Sequence, residues 1–291
     1  MTSSRISPSL LHGTRALITG ASKGIGAAIA KRFAEEGVSC LLAGRNATRL
    51  ARVKDELVLL SKNPYSTSFE KNELPSSHSP HRILVGDVGE ESFWKQVKGE
   101  GHIDFLVNAA GITHYSPLCI TNLNLLHEII QTNLIGTMLG CRTVGKGMLA
   151  GKGGCIINIS SLLGLKGGNG SAAYAASKAG VIGLTRSLAA ELGRKNVRVN
   201  VIVPGYIDTD MTLGKTFSVT NNLRRLDLLI FLIASNFKNT AMTPQARTHA
   251  LENIPMGRFG QATEIADAAI FLACNKYASN CVLVLDGGLS A

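Results

Sequence analysis

Ala16-Leu17-Ile18-Thr19-Gly20-Ala21-Ser22-Lys23-Gly24-Ile25-Gly26 is the stretch on which the fold turns. Its first four residues form a short apolar run that reads as a strand, and the residues after it, out to Glu36, read as a helix. The glycines between them each have a physical use. Gly20 permits the tight turn, Gly24 lets backbone approach a pyrophosphate, and Gly26 lets the helix pack closely on the strand. Unpaired N–H groups and the positive dipole end of the helix then face the phosphates, with Ser22, Lys23 and Ile25 in the same loop. A glycine pattern alone could be only a turn. Strand, turn and helix in this order open a dinucleotide-binding unit.

Outward from there the same alternation repeats. A second strand, Ser39 to Ala43, ends at Gly44-Arg45-Asn46. An acidic residue at this place would bind a ribose 2′-hydroxyl and a cation a 2′-phosphate, so Arg45, with Lys23 nearby, favours NADP(H) over NAD(H). A helix from Ala47 to about Leu60 gives way to residues 61–81, rich in Ser, Pro, Asn and His and expected to be a surface-loop insertion. Strand three, Arg82 to Gly86, presents Asp87-Val88, where a carboxylate could meet the adenine. Strand four, Asp104 to Val107, runs into Asn108-Ala109-Ala110-Gly111, small residues that let backbone approach a ligand. A long helical region from about Leu123 to Leu149 contains Asn133. Cys155 to Ile159 leads to Ser160-Ser161, a helix from Ala172 to Leu192 carries Tyr174 and Lys178, and Val197 to Val203 ends in Pro204-Gly205. A helix from Ala262 to Ala273 and a last strand, Val282 to Leu285, complete the series. About seven strands alternating with helices predict an α/β fold: a Rossmann-type, doubly wound parallel sheet covered on both faces, in one domain spanning 1–291. Ligands of such sheets bind beyond the strand C-termini, where all of these motifs fall.

Tyr174 and Lys178 stand four residues apart and so share one helix face. A cation beside a phenol favours phenolate, which is expected to lower the Tyr174 pKa from about 10. A phenol tuned that way exchanges a proton with a substrate oxygen near neutral pH. The serine pair could place a hydroxyl beside the same oxygen.

Composition narrows the function classes. At 45% hydrophobic and 17% charged residues the 291-residue chain fills a core and is not globally disordered. The net charge of +10 suits an anionic partner such as nucleotide phosphate or an acidic carrier protein, but no nucleic-acid-binding signature accompanies it. The six cysteines are scattered, without metal-ligand spacing, so neither a structural metal nor disulfides are expected. The longest apolar run, Leu228 to Ala234, is too short to span a bilayer, and a soluble protein is expected. Met1 to His12 lacks an acidic residue, as a mitochondrial presequence would, although the strand beginning near Arg15 leaves little room for one; mitochondrial matrix or cytoplasm is expected.

The ordered set Thr19-Gly20-x-x-x-Gly24-x-Gly26, Asp87-Val88, Asn108-Ala109-Ala110-Gly111, Asn133, Ser161, Tyr174-x-x-x-Lys178, Pro204-Gly205 and Asp286-Gly287-Gly288 resembles the short-chain dehydrogenase/reductase family over nearly the whole chain. The family spacing selects Ser161 over Ser160. Stretches 201–211 and 254–260 further resemble 3-oxoacyl-[acyl-carrier-protein] reductases and the related mitochondrial carbonyl reductases. The resemblance implies hydride transfer from NADP(H) to a carbonyl carbon. Tyr174 would protonate the oxygen, Ser161 would hydrogen-bond it, Lys178 would bind the nicotinamide ribose, and Asn133 would support a water relay. Ile207 joins the implied cofactor contacts. The implied substrate is a 3-oxoacyl thioester, on an acidic acyl carrier protein, in fatty acid biosynthesis. Other family activities, on a free ketone, alcohol, steroid or quinone, and a silent NADP(H)-binding subunit are the alternatives.

Three stretches depart from the family pattern. Residues 61–81 are longer than relatives need. Residues 206–255 read as a substrate lid, with an atypical insertion at about 213–240 that reads as an amphipathic lid helix, a membrane-touching segment or translated intron. Tyr277-Ala278-Ser279-Asn280 is shortened where relatives pair into dimers and tetramers, which puts the expected homo-oligomer in doubt.

Overall fold

The structure, a computed structural model, describes residues 10–61, 79–209 and 244–291. Most of the 61–81 loop and all of the 213–240 insertion lie outside the described residues.

The elements run β1 (Arg15–Thr19), α1 (Gly24–Glu35), β2 (Ser39–Gly44), α2 (Ala47–Ser61), β3 (Arg82–Val85), α3 (Glu91–Lys98) and β4 (Phe105–Asn108). They continue with α4 (Leu123–Ile130), α5 (Gly136–Ala150), β5 (Gly154–Ile159), α6 (Leu163–Lys166), α7 (Ala172–Leu192), β6 (Val197–Pro204) and β7 (Ile207–Asp208). The last are α8 (Pro244–Asn253), β8 (Gly260–Gln261), α9 (Ala262–Cys274) and β9 (Val282–Leu285).

Seven strands form one parallel sheet in the order β3-β2-β1-β4-β5-β6-β9. The expected doubly wound α/β sheet is therefore present. Alternate side chains explain why its strands are apolar almost throughout. Ile18 and Ile157 join the core on the side of α1 and α9, while Leu17 and Ile156 join the core that holds Trp94, Val144 and Met148. The chain reverses its winding between β1 and β4, so a crevice opens there beyond the strand C-termini.

Two elements differ from the expectations. α3 is an added short helix that buries Phe93, Trp94 and Val97, with the Trp94 indole donating to the Val88 carbonyl at 2.7 Å. The helix expected from Leu123 to Leu149 is interrupted by a π-helical turn, Gln131–Ile135, with Asn133 at its centre. Tight packing adjoins the turn. A Cβ on Gly136 would lie 2.8 Å from Val88, and one on Gly140 would lie 2.7 Å from Asn108 Oδ1 and 2.9 Å from Trp94.

The shortened turn before β9 closes well. Asn280 takes the left-handed conformation (φ 62°), its N–H donates to the Val199 carbonyl, and the Ala278 carbonyl accepts from Asn200 and Arg198. Tyr277 is left fully exposed beside this edge strand. Among the described residues no helix is long and apolar enough to cross a membrane.

Candidate active site

The glycine turn and the loop after β4 are built against each other. Gly20 has φ +67°, and a Cβ there would lie 2.7 Å from the Ala109 carbonyl oxygen. Gly26 leaves no room for a Cβ against the Gly20 carbonyl. Thr19, on the C-terminal end of β1, accepts hydrogen bonds from the N–H groups of Ala109 and Ala110 at 3.1 Å each. Gly24 (φ +56°) starts α1, whose N-cap Lys23 is extended and adds no side-chain cap, and no acidic residue stands in the first turn. That helix end suits an anion. A groove of about 590 Å³ opens beside Ser22, Lys23 and Gly24; Lys31, Arg32, Arg49 and Arg52 line it together with Glu35 and Glu56, the latter paired with Lys31. It does not reach Ser161, Tyr174 or Lys178. The left-handed glycines, the uncapped helix end and the basic groove fit the phosphates of a dinucleotide.

At the next strand end, Arg45 forms an ion pair with Asp87 at 3.5 Å, between partly exposed side chains. The two residues expected to read the ribose phosphate and the adenine therefore hold each other, and Asp87 Oδ1 also accepts from the Gly89 N–H at 2.8 Å. Ile25 is half-buried against the core, Pro204 takes the Leu162 N–H on its carbonyl, and the Gly205 N–H donates to Leu285.

The side chains of three expected cofactor contacts are engaged within the fold. The Asn108 side chain is buried and donates to Asn158 Oδ1 at 2.9 Å, and Asn158 donates to Thr185 at 2.9 Å, so it ties β4, β5 and α7 together. Val88 sits in the core against Gly136, with its carbonyl occupied by Trp94. Ile207 is buried in the core and pairs through β7 with Gly260 of β8. For these three, packing takes the side chain and only backbone is left to face a ligand.

The serine pair is separated by geometry. Ser160 is buried and donates to the Lys178 carbonyl at 2.8 Å. Ser161 accepts from the Leu163 N–H at 3.2 Å and stands close enough to the Tyr174 phenol to act on its pKa. Burial pushes the Tyr174 pKa above its ordinary value, and the Ser161 hydroxyl pulls it back in part. Lys178 is 5% exposed, and burial lowers its pKa to about 8. Its ammonium donates to the Ile159 carbonyl at 2.9 Å and lies 5.8 Å from the Tyr174 ring centroid. The expected lowering of the Tyr174 pKa by Lys178 is therefore not met in this geometry, because desolvation outweighs a cation directed at a backbone carbonyl.

Asn133 is fully buried. Its Oδ1 accepts from the Ile112 N–H at 2.8 Å, and its Nδ2 donates to the Ile112 carbonyl and to Ser177 Oγ at 2.9 and 3.0 Å. It does not touch Lys178. Both approach Gly111, whose absent Cβ would lie 3.3 Å from Asn133 Oδ1 and 3.4 Å from Lys178 Nζ. Ser177, which also donates to the Tyr174 carbonyl at 2.7 Å, carries no sequence signal of its own. Asn158 carried a visible signal, as a polar residue between Ile157 and Ile159 in an apolar strand. Among the described residues there is no cluster of three or more possible metal ligands.

Known proteins bear on this arrangement. The family model for short chain dehydrogenases matches residues 14–217. The 3-oxoacyl-[acyl-carrier-protein] reductase of Rattus norvegicus is 36% identical over 274 residues, covering 94% of this chain and 96% of that protein. Carbonyl reductase family member 4 of Danio rerio is 35% identical over 279 residues, covering 94% and 97%. A structure assigned as an NAD(P)-dependent gluconate 5-dehydrogenase from Beutenbergia cavernae, with NADP bound at low occupancy, superposes with a TM-score of 0.76 at 30% identity, covering 97% and 98%. Likeness of that extent in both sequence and structure means that this chain belongs to the short chain dehydrogenase family and is an NAD(P)-binding oxidoreductase of the alcohol–carbonyl pair.

Proposed function

We propose that this enzyme reduces a 3-oxoacyl thioester, carried on an acyl carrier protein, to the 3-hydroxyacyl form with NADPH, as a step of fatty acid biosynthesis. The observation that supports it most is Ser161 next to the Tyr174 phenol, beside buried Lys178 at the strand ends, in a chain whose relatives include 3-oxoacyl-[acyl-carrier-protein] reductases. Bound NADPH would supply the hydride to the carbonyl carbon. Tyr174 gives its phenolic proton to the carbonyl oxygen, so that C=O becomes CH–OH, and Ser161 donates a hydrogen bond to that oxygen as charge builds on it. Lys178 holds a positive charge close to the phenolate that remains and positions the nicotinamide ribose. Asn133 fixes Ile112 and leaves Gly111 between itself and Lys178, which is room for a water relay to the ammonium.

Preference for NADPH rests on Arg45 and the basic groove, with the 2′-phosphate competing against Asp87 for Arg45. Residues 206–255 serve as the lid, rooted by the β7–β8 pair. The net charge of +10 suits an acidic carrier, and β9 at the sheet edge is the surface for a homodimer or tetramer. A mitochondrial matrix location is part of this reading. A second reading, reduction of free ketones or quinones, is supported by the likeness to carbonyl reductase family member 4. Initial rates with acetoacetyl thioesters against free ketones and quinones separate the two. Tyr174→Phe should keep NADPH binding and lose about 10²–10⁴ in turnover. Substantial residual reduction of acetoacetyl thioester by that variant would refute the acid–base role.

A further inference from the structure

His114 is only 3% exposed, yet neither of its ring nitrogens has a hydrogen-bond partner among the described residues. Burial lowers its pKa and so keeps the ring neutral, with one nitrogen a donor and the other an acceptor. Buried polar atoms are nearly always paired, so an imidazole with two open valences is completed by something beyond the described residues.

Its position in the loop after β4 says where that something lies. Gly111, three residues before it, faces Lys178 Nζ and Asn133 Oδ1, and both backbone groups of Ile112 are clamped by Asn133. Two residues after it, the Ser116 N–H donates to the Gly170 carbonyl at 2.7 Å. The Tyr115 ring covers Gly170, where a Cβ would come 2.8 Å from the ring. Gly170 precedes Tyr174 by one helical turn's worth of chain. The loop is thus pinned at one end to the residues around Lys178 and at the other to the chain leading into Tyr174, and His114 sits between the pins. Consecutive Cα atoms are about 3.8 Å apart, so its Cα lies within about 11 Å of Gly111. Just past it, Tyr115, Leu118 and Ile120 expose an apolar surface.

We propose that His114 is a substrate-binding residue that hydrogen-bonds a second oxygen of a bifunctional carbonyl substrate, while Tyr115, Leu118 and Ile120 flank its apolar tail. This rests on the reading of the enzyme as a reductase of 3-oxoacyl thioesters, in which the second oxygen is the thioester carbonyl. It adds a discriminator: an oxygen two carbons from the reacting carbonyl, or next to it, is recognised apart from the reaction itself.

The test uses the full chain, with His114→Leu and His114→Gln. Each is assayed on acetoacetyl thioester and on a simple monoketone, with NADPH Kd and Tm measured alongside. Loss of the paired oxygen should cut kcat/KM for the thioester about tenfold or more in His114→Leu, mainly through KM, while the monoketone changes by less than about twofold. His114→Gln, which keeps one donor and one acceptor, should recover a large part of the loss. The Tm of His114→Leu should equal or exceed that of the unaltered chain, since two unpaired polar atoms are removed. Equal losses on both substrates, no loss on the thioester, or a lowered Tm with weakened NADPH binding would each overturn the proposal, the last by showing that His114 and a buried water only support the fold. Should His114→Leu fail to fold, the substrate comparison in His114→Gln decides by the same criteria. If the unaltered chain does not reduce acetoacetyl thioester at all, the proposed function fails by itself, and a diketone compared with its monoketone tests His114 independently.

Discussion

Replacing Lys178 by Met should change the pH dependence of stability in a way fixed by its burial. Desolvation lowers the Lys178 pKa from 10.5 to about 8 in the folded chain. At 1.36 kcal/mol per unit, the fold disfavours the charged form by about 3 kcal/mol, with little solvent screening at a side chain so deeply buried. Between about pH 8 and 10.5 the unfolded chain binds more protons at this position than the folded one, so the Lys178 contribution rises with pH across that window. Lys178→Met removes the contribution. The stability of the unaltered chain relative to the variant should therefore rise by about 2 kcal/mol between pH 7 and 9.5. For a domain of this size that is a shift of about 4–8 °C in the difference between the two Tm values. The comparison must be a difference, because the buried thiols work the other way. Burial raises the Cys141 and Cys155 pKa values to about 12 and about 11, so both proteins lose absolute stability as pH rises past the unfolded thiol value. Thermal or urea unfolding at both pH values reads the effect. A stability difference that stays constant with pH, or moves in favour of the Met variant, would show that Lys178 is not held against its charge.

Three further substitutions test neighbouring parts of the site. Arg45→Ala should raise the KM for NADPH about tenfold or more and leave NADH within about twofold, whereas Asp87→Asn, which frees Arg45 from its 3.5 Å ion pair, should improve NADPH selectivity; steady-state kinetics with both nucleotides decides, and equal losses with the two would count against the 2′-phosphate role. Asn158→Ala removes the acceptor of Asn108 and the donor to Thr185 at a fully buried position, at about 1–3 kcal/mol for each group left unpaired, so Tm should fall by about 4 °C or more. A fall below about 2 °C would mean that the network is not a structural tie.

The regular elements were legible because short apolar runs, closed by glycine, proline and asparagine turns, alternate with helical stretches. α7 (Ala172–Leu192) and β9 (Val282–Leu285) coincide with the expected bounds, and β1 differs by a residue. What was not legible depends on contacts between elements. α3 offers three buried apolar side chains in eight residues, too few to show a period. The π-helical turn at Asn133 adjoins the close approach of Gly136 and Gly140 to Val88, Asn108 and Trp94, which no local pattern states. The structural tie of the Asn108 side chain is not legible until the sheet order places it opposite Asn158 in the β4–β5 register. The Arg45–Asp87 pair likewise needs β2 beside β3, which no local pattern states. His114 was passed over for the same reason: one histidine in a polar loop means little until its burial and missing partners are known.

Ser160 and Ser161 show how residues outside the chemistry can set its geometry. On an extended chain, neighbouring side chains point to opposite sides, so one serine of the pair must turn towards α7 backbone if the other is to meet Tyr174. Ser160 takes the first role, donating to the Lys178 carbonyl, while the Lys178 ammonium returns a bond to the Ile159 carbonyl. These two hydrogen bonds run in opposite directions between the end of β5 and one residue of α7. They fix the rise and rotation of that helix against the strand, and with them the distance from Ser161 to Tyr174, one turn earlier on the same face. The pairing also explains why Lys178 tolerates its burial: its charge is directed at a carbonyl at the strand's C-terminal end, held a fixed distance behind the phenol. Ser160 is therefore a positioning residue, and the spacing between Ser161 and Tyr174 follows from how a strand end and a helix are laced together.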